Sequence, residues 1–216
     1  MHRNVKRSMQ RYSNDSLLGF RSIQRLPPVV PSHILGLDPG LDTTGYGVLE
    51  ATDSGPAVAE AGVLRSRSDG AAIEDMADRL KVLYDGLIEI LDQWKPVAIA
   101  IEQLYSHVEH PRTAILMAHA RGCYLLAGAQ RGIPVFSYAA TQVKKTLTGS
   151  GRASKEQMQH SVQHEFQLAS LPEPPDVADA LAVAFCHVVA TGHARRGSRG
   201  ASYTGVNLKR LLAGEE

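Results

Sequence analysis

Apolar residues along this chain fall into two alternating kinds of run: short unbroken ones, and longer ones with helical spacing. The first unbroken run, Ile34-Leu35-Gly36-Leu37, ends on Asp38, and a later one, Val97-Ala98-Ile99-Ala100-Ile101, ends on Glu102. Unbroken apolar runs of this length suit strands buried on both faces. After Asp38 the Asp38-Pro39-Gly40 sequence reads as a tight turn, with Gly40 free to take positive φ, leading into a strand over Thr44–Leu49. The turn-forming Asp53-Ser54-Gly55-Pro56 then precedes a third run, Ala57–Leu64. Three strands with connections this short imply an antiparallel meander.

Helical spacing takes over at Ile73, Met76, Ala77, Leu80, Leu83, Tyr84, Leu87, Ile88 and Leu91, which predicts a long amphipathic helix up to Trp94. Lys95-Pro96 stops it before the strand that ends at Glu102. A second helix is predicted from Arg112 to Arg131, closed by Gly132, and Ile133-Pro134-Val135-Phe136 reads as a short fifth strand. Pro134 places that strand at an edge or at its own start. A short helix over 141–148, a Thr148-Gly149-Ser150-Gly151 loop, a helix to Phe166 capped by Ser154, and a last Ala-rich helix after Leu171-Pro172-Glu173-Pro174-Pro175 complete the pattern. The expected fold is α/β, a mixed five-stranded sheet with its first three strands antiparallel, flanked by helices.

Composition places this pattern in an ordinary globular domain, with 44% hydrophobic and 21% charged residues over 216 positions. The net charge of +1 is uninformative, but its distribution is uneven. Arg3, Lys6, Arg7, Arg11, Arg21 and Arg25 face the single acid Asp15 near the start, and Arg195, Arg196, Arg199, Lys209 and Arg210 crowd the end. Residues 1–32 are expected to be a basic, disordered extension, 33–193 the folded domain, and 194–216 a basic tail. The Arg- and Ser-rich start superficially resembles an organellar transit peptide, a minority reading beside a cytoplasmic one. Cys123 and Cys186 have no CxxC spacing, so a disulfide scaffold or zinc module is not expected. No apolar run has the length of a membrane span.

The candidate chemistry lies in the acids. Asp38 and Glu102 end buried strands, the edge where α/β folds place their chemistry, and Asp176 and Asp179 share one helix face three residues apart. Carboxylates gathered in a cleft repel one another unless some stay protonated or a cation binds, and Mg²⁺ suits an all-oxygen shell. Two of the acids also have a structural reading, Asp38 as a turn builder and Asp176 as a helix cap, whereas a lone Glu102 at the end of an apolar strand has no local structural task. The histidines show no HExxH pattern and read as surface or satisfied residues. No Walker A or GxSxG sequence is present, which leaves P-loop ATP use and serine hydrolysis unsupported.

The series Ile34-Leu35-Gly36-Leu37-Asp38-Pro39-Gly40, Thr44-Gly45-Tyr46-Gly47-Val48, Ala100-Ile101-Glu102-Gln103, Ala120-Arg121-Gly122, Pro134-Val135-Phe136 with Tyr138-Ala139-Ala140, Gln142-Val143-Lys144 and Asp176-Val177-Ala178-Asp179-Ala180-Leu181-Ala182 resembles the RuvC family of Holliday-junction resolvases over residues 33–190. The resemblance implies a ribonuclease H-like fold, a homodimer, and Mg²⁺-dependent nicking of two opposed strands of four-way junction DNA in recombination and repair. It makes Asp38, Glu102, Asp176 and Asp179 the catalytic metal-binding acids of a two-ion site, where Mn²⁺ can substitute. Lys144 and Lys155 fall at positions linked to DNA binding and catalysis. Tyr105 stands where the family commonly has a Phe thought to stack on a junction base. A metal-activated water would attack in line, leaving 5′-phosphate and 3′-hydroxyl ends. The RuvA-RuvB branch-migration complex would be the partner.

Two rival readings bear on this. Actin–hexokinase-type phosphotransferases also open with a strand and a DxG loop, but they need a second lobe, and the other DxG here, Asp53-Ser54-Gly55, lies just beyond the next strand. A catalytically dead junction-binding protein would not be expected to keep acids at all four positions.

Overall fold

The computed structural model describes residues 32–52, 54–66, 75–104 and 111–192. The chain divides into Met1–Val30 and Pro31–Glu216, and every described residue belongs to the second unit. Its elements run β1 (His33–Asp38), β2 (Thr43–Thr52), β3 (Gly55–Arg65), α1 (Met76–Trp94), β4 (Ala98–Glu102), α2 (Pro111–Gln130), β5 (Val135–Tyr138), α3 (Ala140–Thr148), α4 (Lys155–Glu165) and α5 (Pro175–Thr191). The expected extension and tail lie outside the described residues, apart from Ser32, whose carbonyl accepts from the Ala51 amide.

The sheet has the order β3-β2-β1-β4-β5. β1 pairs antiparallel with β2 and parallel with β4; β2–β3 is antiparallel and β4–β5 parallel. Short connections allow the first three strands to form hairpins, whereas β4 and β5 need α1 and α2 as crossovers. The antiparallel meander and mixed sheet expected from the run lengths are both present.

Alternation along the strands sorts the two cores. Leu35, Leu37, Val48, Ile99 and Ile101 point to one face, where Leu83, Leu87 and Leu91 of α1 and Tyr124 of α2 cover them. Ile34, Leu49, Ala98 and Ala100 point to the other face, under α5 with Val143 of α3 and Met158 and Val162 of α4. On that second face small residues meet small residues: Gly36, Ala98 and Ala100 from the sheet, and Ala178, Ala180, Ala182 and Ala184 from α5. A methyl group on Gly36 would lie 2.1 Å from the Ala180 carbonyl oxygen. The run of alanines in α5 therefore lets the helix backbone rest almost directly on β1.

Several boundaries differ from expectation for local reasons. α1 starts at Met76 because the Asp75 carboxylate accepts from the Ala77 amide as its cap; Ile73 lies outside the described residues. β3 begins at Gly55, so Gly55 and Pro56 belong to the strand rather than to the turn before it. Proline is tolerated there because β3 is an edge strand. β5 is the opposite edge, and Pro134 lies just before it, as its ring requires. Gly40 does not use left-handed backbone, which occurs at Gly55, Gly132, Gly149 and Gly192 among the described glycines. It is needed for space, since a Cβ would meet the Thr43 carbonyl oxygen at 2.0 Å.

Candidate active site

Asp38 and Glu102 are the last residues of neighbouring parallel strands, so both lie at the carboxyl end of the sheet centre. Asp176 and Asp179 lie in the first turns of α5, which begins over the same end. Gly45 explains how α5 gets there. It sits opposite Asp38 on β2, and a methyl group at Gly45 would come within 2.0 Å of the Asp176 carbonyl oxygen. The absence of a side chain at Gly45 lets Asp176 approach Asp38.

The cap of α5 is Pro174, with no side-chain cap bond, so Asp176 is not the cap. The turn after Asp38 is held by Thr44 instead: its hydroxyl donates to the Gly40 carbonyl at 2.7 Å and accepts from the Gly40 amide at 3.1 Å. Neither local role accounts for these carboxylates.

Their electrostatics link them as one cluster. Burial drives the Asp38 carboxyl well above its ordinary range, and the charges of Glu102, Asp179 and Asp176 push it further. Burial and Asp179 raise Glu102 to about 7. Asp179 is raised by burial and by Asp176. Lys155 pulls all three down, and Lys144 does the same for Glu102 and Asp179. α3 carries Lys144, and a reciprocal capping box sets Lys155 as the first residue of α4: the Ser154 hydroxyl accepts from the Gln157 amide at 3.2 Å, and Gln157 Oε1 accepts from the Ser154 amide at 2.9 Å. All six described candidates thus act on one region. Tyr105 lies outside the described residues.

This donor set fits a hard divalent cation. It consists of oxygens only, it is partly desolvated, and Asp38, Glu102 and Asp179 hold their protons more tightly than isolated carboxylates do, through burial first and neighbouring negative charge second. Among the described residues, no group of three or more His, Cys, Asp or Glu side chains is already arranged to hold an ion. Carboxylates gathered without a counter-ion are costly, roughly 4 kcal/mol for two charges about 4 Å apart at an effective dielectric near 20.

The described histidines stay apart from this chemistry. His119, His160 and His164 are exposed on helices. His187 is buried, with Nδ1 2.8 Å from the Tyr138 hydroxyl and its ring 4.6 Å from that of Phe136. Both cysteines are free.

Two supporting residues were given no role by the sequence, although Arg121 stands in the Ala120-Arg121-Gly122 stretch. Arg121 of α2 donates from Nε to the Glu102 carbonyl at 3.3 Å and from its terminal nitrogen to Ser137 Oγ at 2.7 Å. Tyr124, fully buried, lies with its hydroxyl 2.7 Å from Thr44 Oγ1. A charged residue one turn before an aromatic in an apolar helix was the available signal. The outer side of the same helix is also apolar, with Ile115 (58% exposed), Ala118, Gly122 and Leu126 (54% exposed) in one stripe.

A mixed five-stranded sheet in the order 3-2-1-4-5, with acids at the ends of its two central parallel strands and on the covering helix, defines a ribonuclease H-like protein with a carboxylate site. Residues 34–187 match the family model described as crossover junction endodeoxyribonuclease RuvC, and the chain belongs to that RuvC family. A relative from Rhodopirellula baltica, named crossover junction endodeoxyribonuclease RuvC, is 46% identical over 159 residues, covering 74% of this chain and 87% of its own length. A RuvC from Methylobacillus flagellatus is 41% identical, covering 71% and 85%. The structure of T. thermophilus RuvC in complex with Holliday junction substrate matches with a TM-score of 0.66 at 28% identity, covering 76% of this chain and 98% of that one. The yeast mitochondrial Holliday junction resolvase Ydc2 shares the fold, with a TM-score of 0.53 at 18% identity and coverage of 74% and 79%.

Proposed function

We propose that this chain is an endodeoxyribonuclease that resolves four-way DNA junctions by paired, symmetric nicks. The observation that carries the reading is the convergence of Asp38, Glu102, Asp176 and Asp179 with Lys144 and Lys155 in a chain of the RuvC family. The four acids would hold Mg²⁺, about two ions with Mn²⁺ able to substitute, which supplies Lewis acidity and charge neutralisation at the scissile phosphate. Lys144 and Lys155 place positive charge beside the acids, where they draw the DNA backbone in and offset charge building on the phosphate. Hydrolysis adds a water oxygen to phosphorus and breaks the bond to the 3′ oxygen, which takes up a proton. The products are a 5′-phosphate and a 3′-hydroxyl.

Two nicks require two sites, and a two-fold dimer supplies them in equivalent positions. The outer stripe of α2 supports this: a helix apolar on both sides is usually covered on both. Stacking of Tyr105 on a junction base, partnership with RuvA-RuvB, and action in the bacterial cytoplasm belong to the same reading. No described helix is long and apolar enough to cross a membrane.

The test is cleavage of a synthetic mobile four-way junction with and without Mg²⁺, beside linear duplex. Paired nicks are expected in the junction only, and they should vanish in Asp38→Asn while junction binding persists. Equal cutting of linear duplex would overturn junction specificity. Binding without cutting under any divalent cation would overturn the nuclease reading.

A further inference from the structure

The parallel ladder between β1 and β4 ends at the pair Leu37–Ile101, one residue short of both strand-end acids. Asp38 is tied outward to Gly45 of β2, and Glu102 outward to Tyr138 of β5. No ladder pair sets their separation from each other. α2 reaches both strand ends, and its two contacts lie one turn apart, at Arg121 and Tyr124.

Resolving the donors in the Tyr124 contact shows that it is a fixed link. The Thr44 hydroxyl proton is committed to the Gly40 carbonyl, and one of its lone pairs takes the Gly40 amide. The second lone pair is left for Tyr124, so the tyrosine is the donor and Thr44 is fully satisfied. This chain of bonds runs from α2 to the turn that immediately follows Asp38. Arg121 makes the matching connection on the other strand, joining the Glu102 carbonyl to Ser137 of β5. α2 therefore grips the backbone beside each acid, by one neutral buried bond and one charged one.

We propose that α2 sets the spacing of Asp38 and Glu102 for cation binding, with Tyr124 and Arg121 as its positioning residues. The inference rests on the cation-dependent reading above. Neither residue touches the ion; each fixes the frame that carries a ligand. Partners of this kind change metal affinity when lost, even though every ligand is still present. The outer face of α2 adds a consequence: whatever covers Ile115 and Leu126 presses on the helix that spaces the acids.

The experiment is calorimetric titration of the full chain, free of DNA, with Mn²⁺. It compares wild type, Tyr124→Phe, Arg121→Lys, and Leu87→Ala as a core-destabilised control on α1. Phe keeps the buried ring and removes only the donor; Lys keeps the charge but cannot bridge two acceptors. Both positioning variants should bind Mn²⁺ about tenfold more weakly or worse, with Leu87→Ala within about twofold of wild type. On junction DNA the same two variants should lose kcat while their affinity for the junction in Ca²⁺ is unchanged. The proposal is overturned if both bind Mn²⁺ as wild type does, if Leu87→Ala weakens binding equally, or if wild type takes up no Mn²⁺. Should Tyr124→Phe fail to fold, the half-buried Arg121 alone decides. Failure of the functional reading looks different: wild type binds Mn²⁺ yet nicks no junction.

Discussion

Glu102 concentrates the conflict at this site: burial and Asp179 raise its carboxyl to about 7 against the opposing pull of Lys144 and Lys155. The folded, metal-free protein holds a proton there that the unfolded chain has already lost. Stability should therefore fall as pH rises from about 5 to about 7, because the native state binds the extra proton in that window. Asp38, raised well above its ordinary range by burial and by the charges of Glu102, Asp179 and Asp176, acts in the same direction. Urea denaturation at a series of pH values would show this, and Glu102→Gln should flatten part of the slope; an unchanged slope in that variant would contradict it. A cation reverses the trend, since it competes with the proton: Mg²⁺ should bind more tightly as pH climbs through 7. Lys155, exposed and held by the Ser154–Gln157 capping box, is expected to matter for DNA rather than for folding. Lys155→Ala should slow junction cleavage and leave the melting temperature nearly unchanged.

Among the elements, α5 shows most clearly how packing delivers chemistry. Its alanines and the glycines of β1 and β2 bring its backbone against the sheet, and Gly45 admits Asp176 to the neighbourhood of Asp38. Gly45→Ala should cost about 3 kcal/mol, at the high end for overpacking because backbone cannot yield as a side chain does. Junction cleavage should fall with it; a variant of normal stability and activity would contradict the close approach. The helix and strand pattern was legible because apolar periodicity encodes it directly: β1, β4 and α5 stand where their runs place them, with acids at the expected ends. Ser154 was legible too, since a cap is a local bond. Arg121, Thr44 and Tyr124 were not. Arg121 reaches Glu102 and Ser137, 19 and 16 residues away, and Thr44 meets Tyr124 across 80 residues, and no local pattern states either pairing.

For the whole molecule, the stripe on α2 is the feature that a single copy leaves unused. Leu126→Glu should preserve the fold, since the side chain is more than half exposed, and should halve the mass measured by light scattering if a second copy covers it. Paired nicking should then degrade into single, uncoordinated cuts. An unchanged mass would place the second copy elsewhere. The structure also separates a natural probe from the site. The chain has one tryptophan, Trp94, and its indole donates to Glu60 at 3.1 Å and stands edge-on to His33, with ring centroids 5.0 Å apart. His33 opens the strand that Asp38 closes, so the fluorophore reports from the far end of β1, about 16 Å away at 3.3 Å per residue. Its emission will follow unfolding while staying insensitive to a paramagnetic ion or a nucleotide base at the carboxyl end. Folding and ligation can thus be read in one cuvette as independent signals.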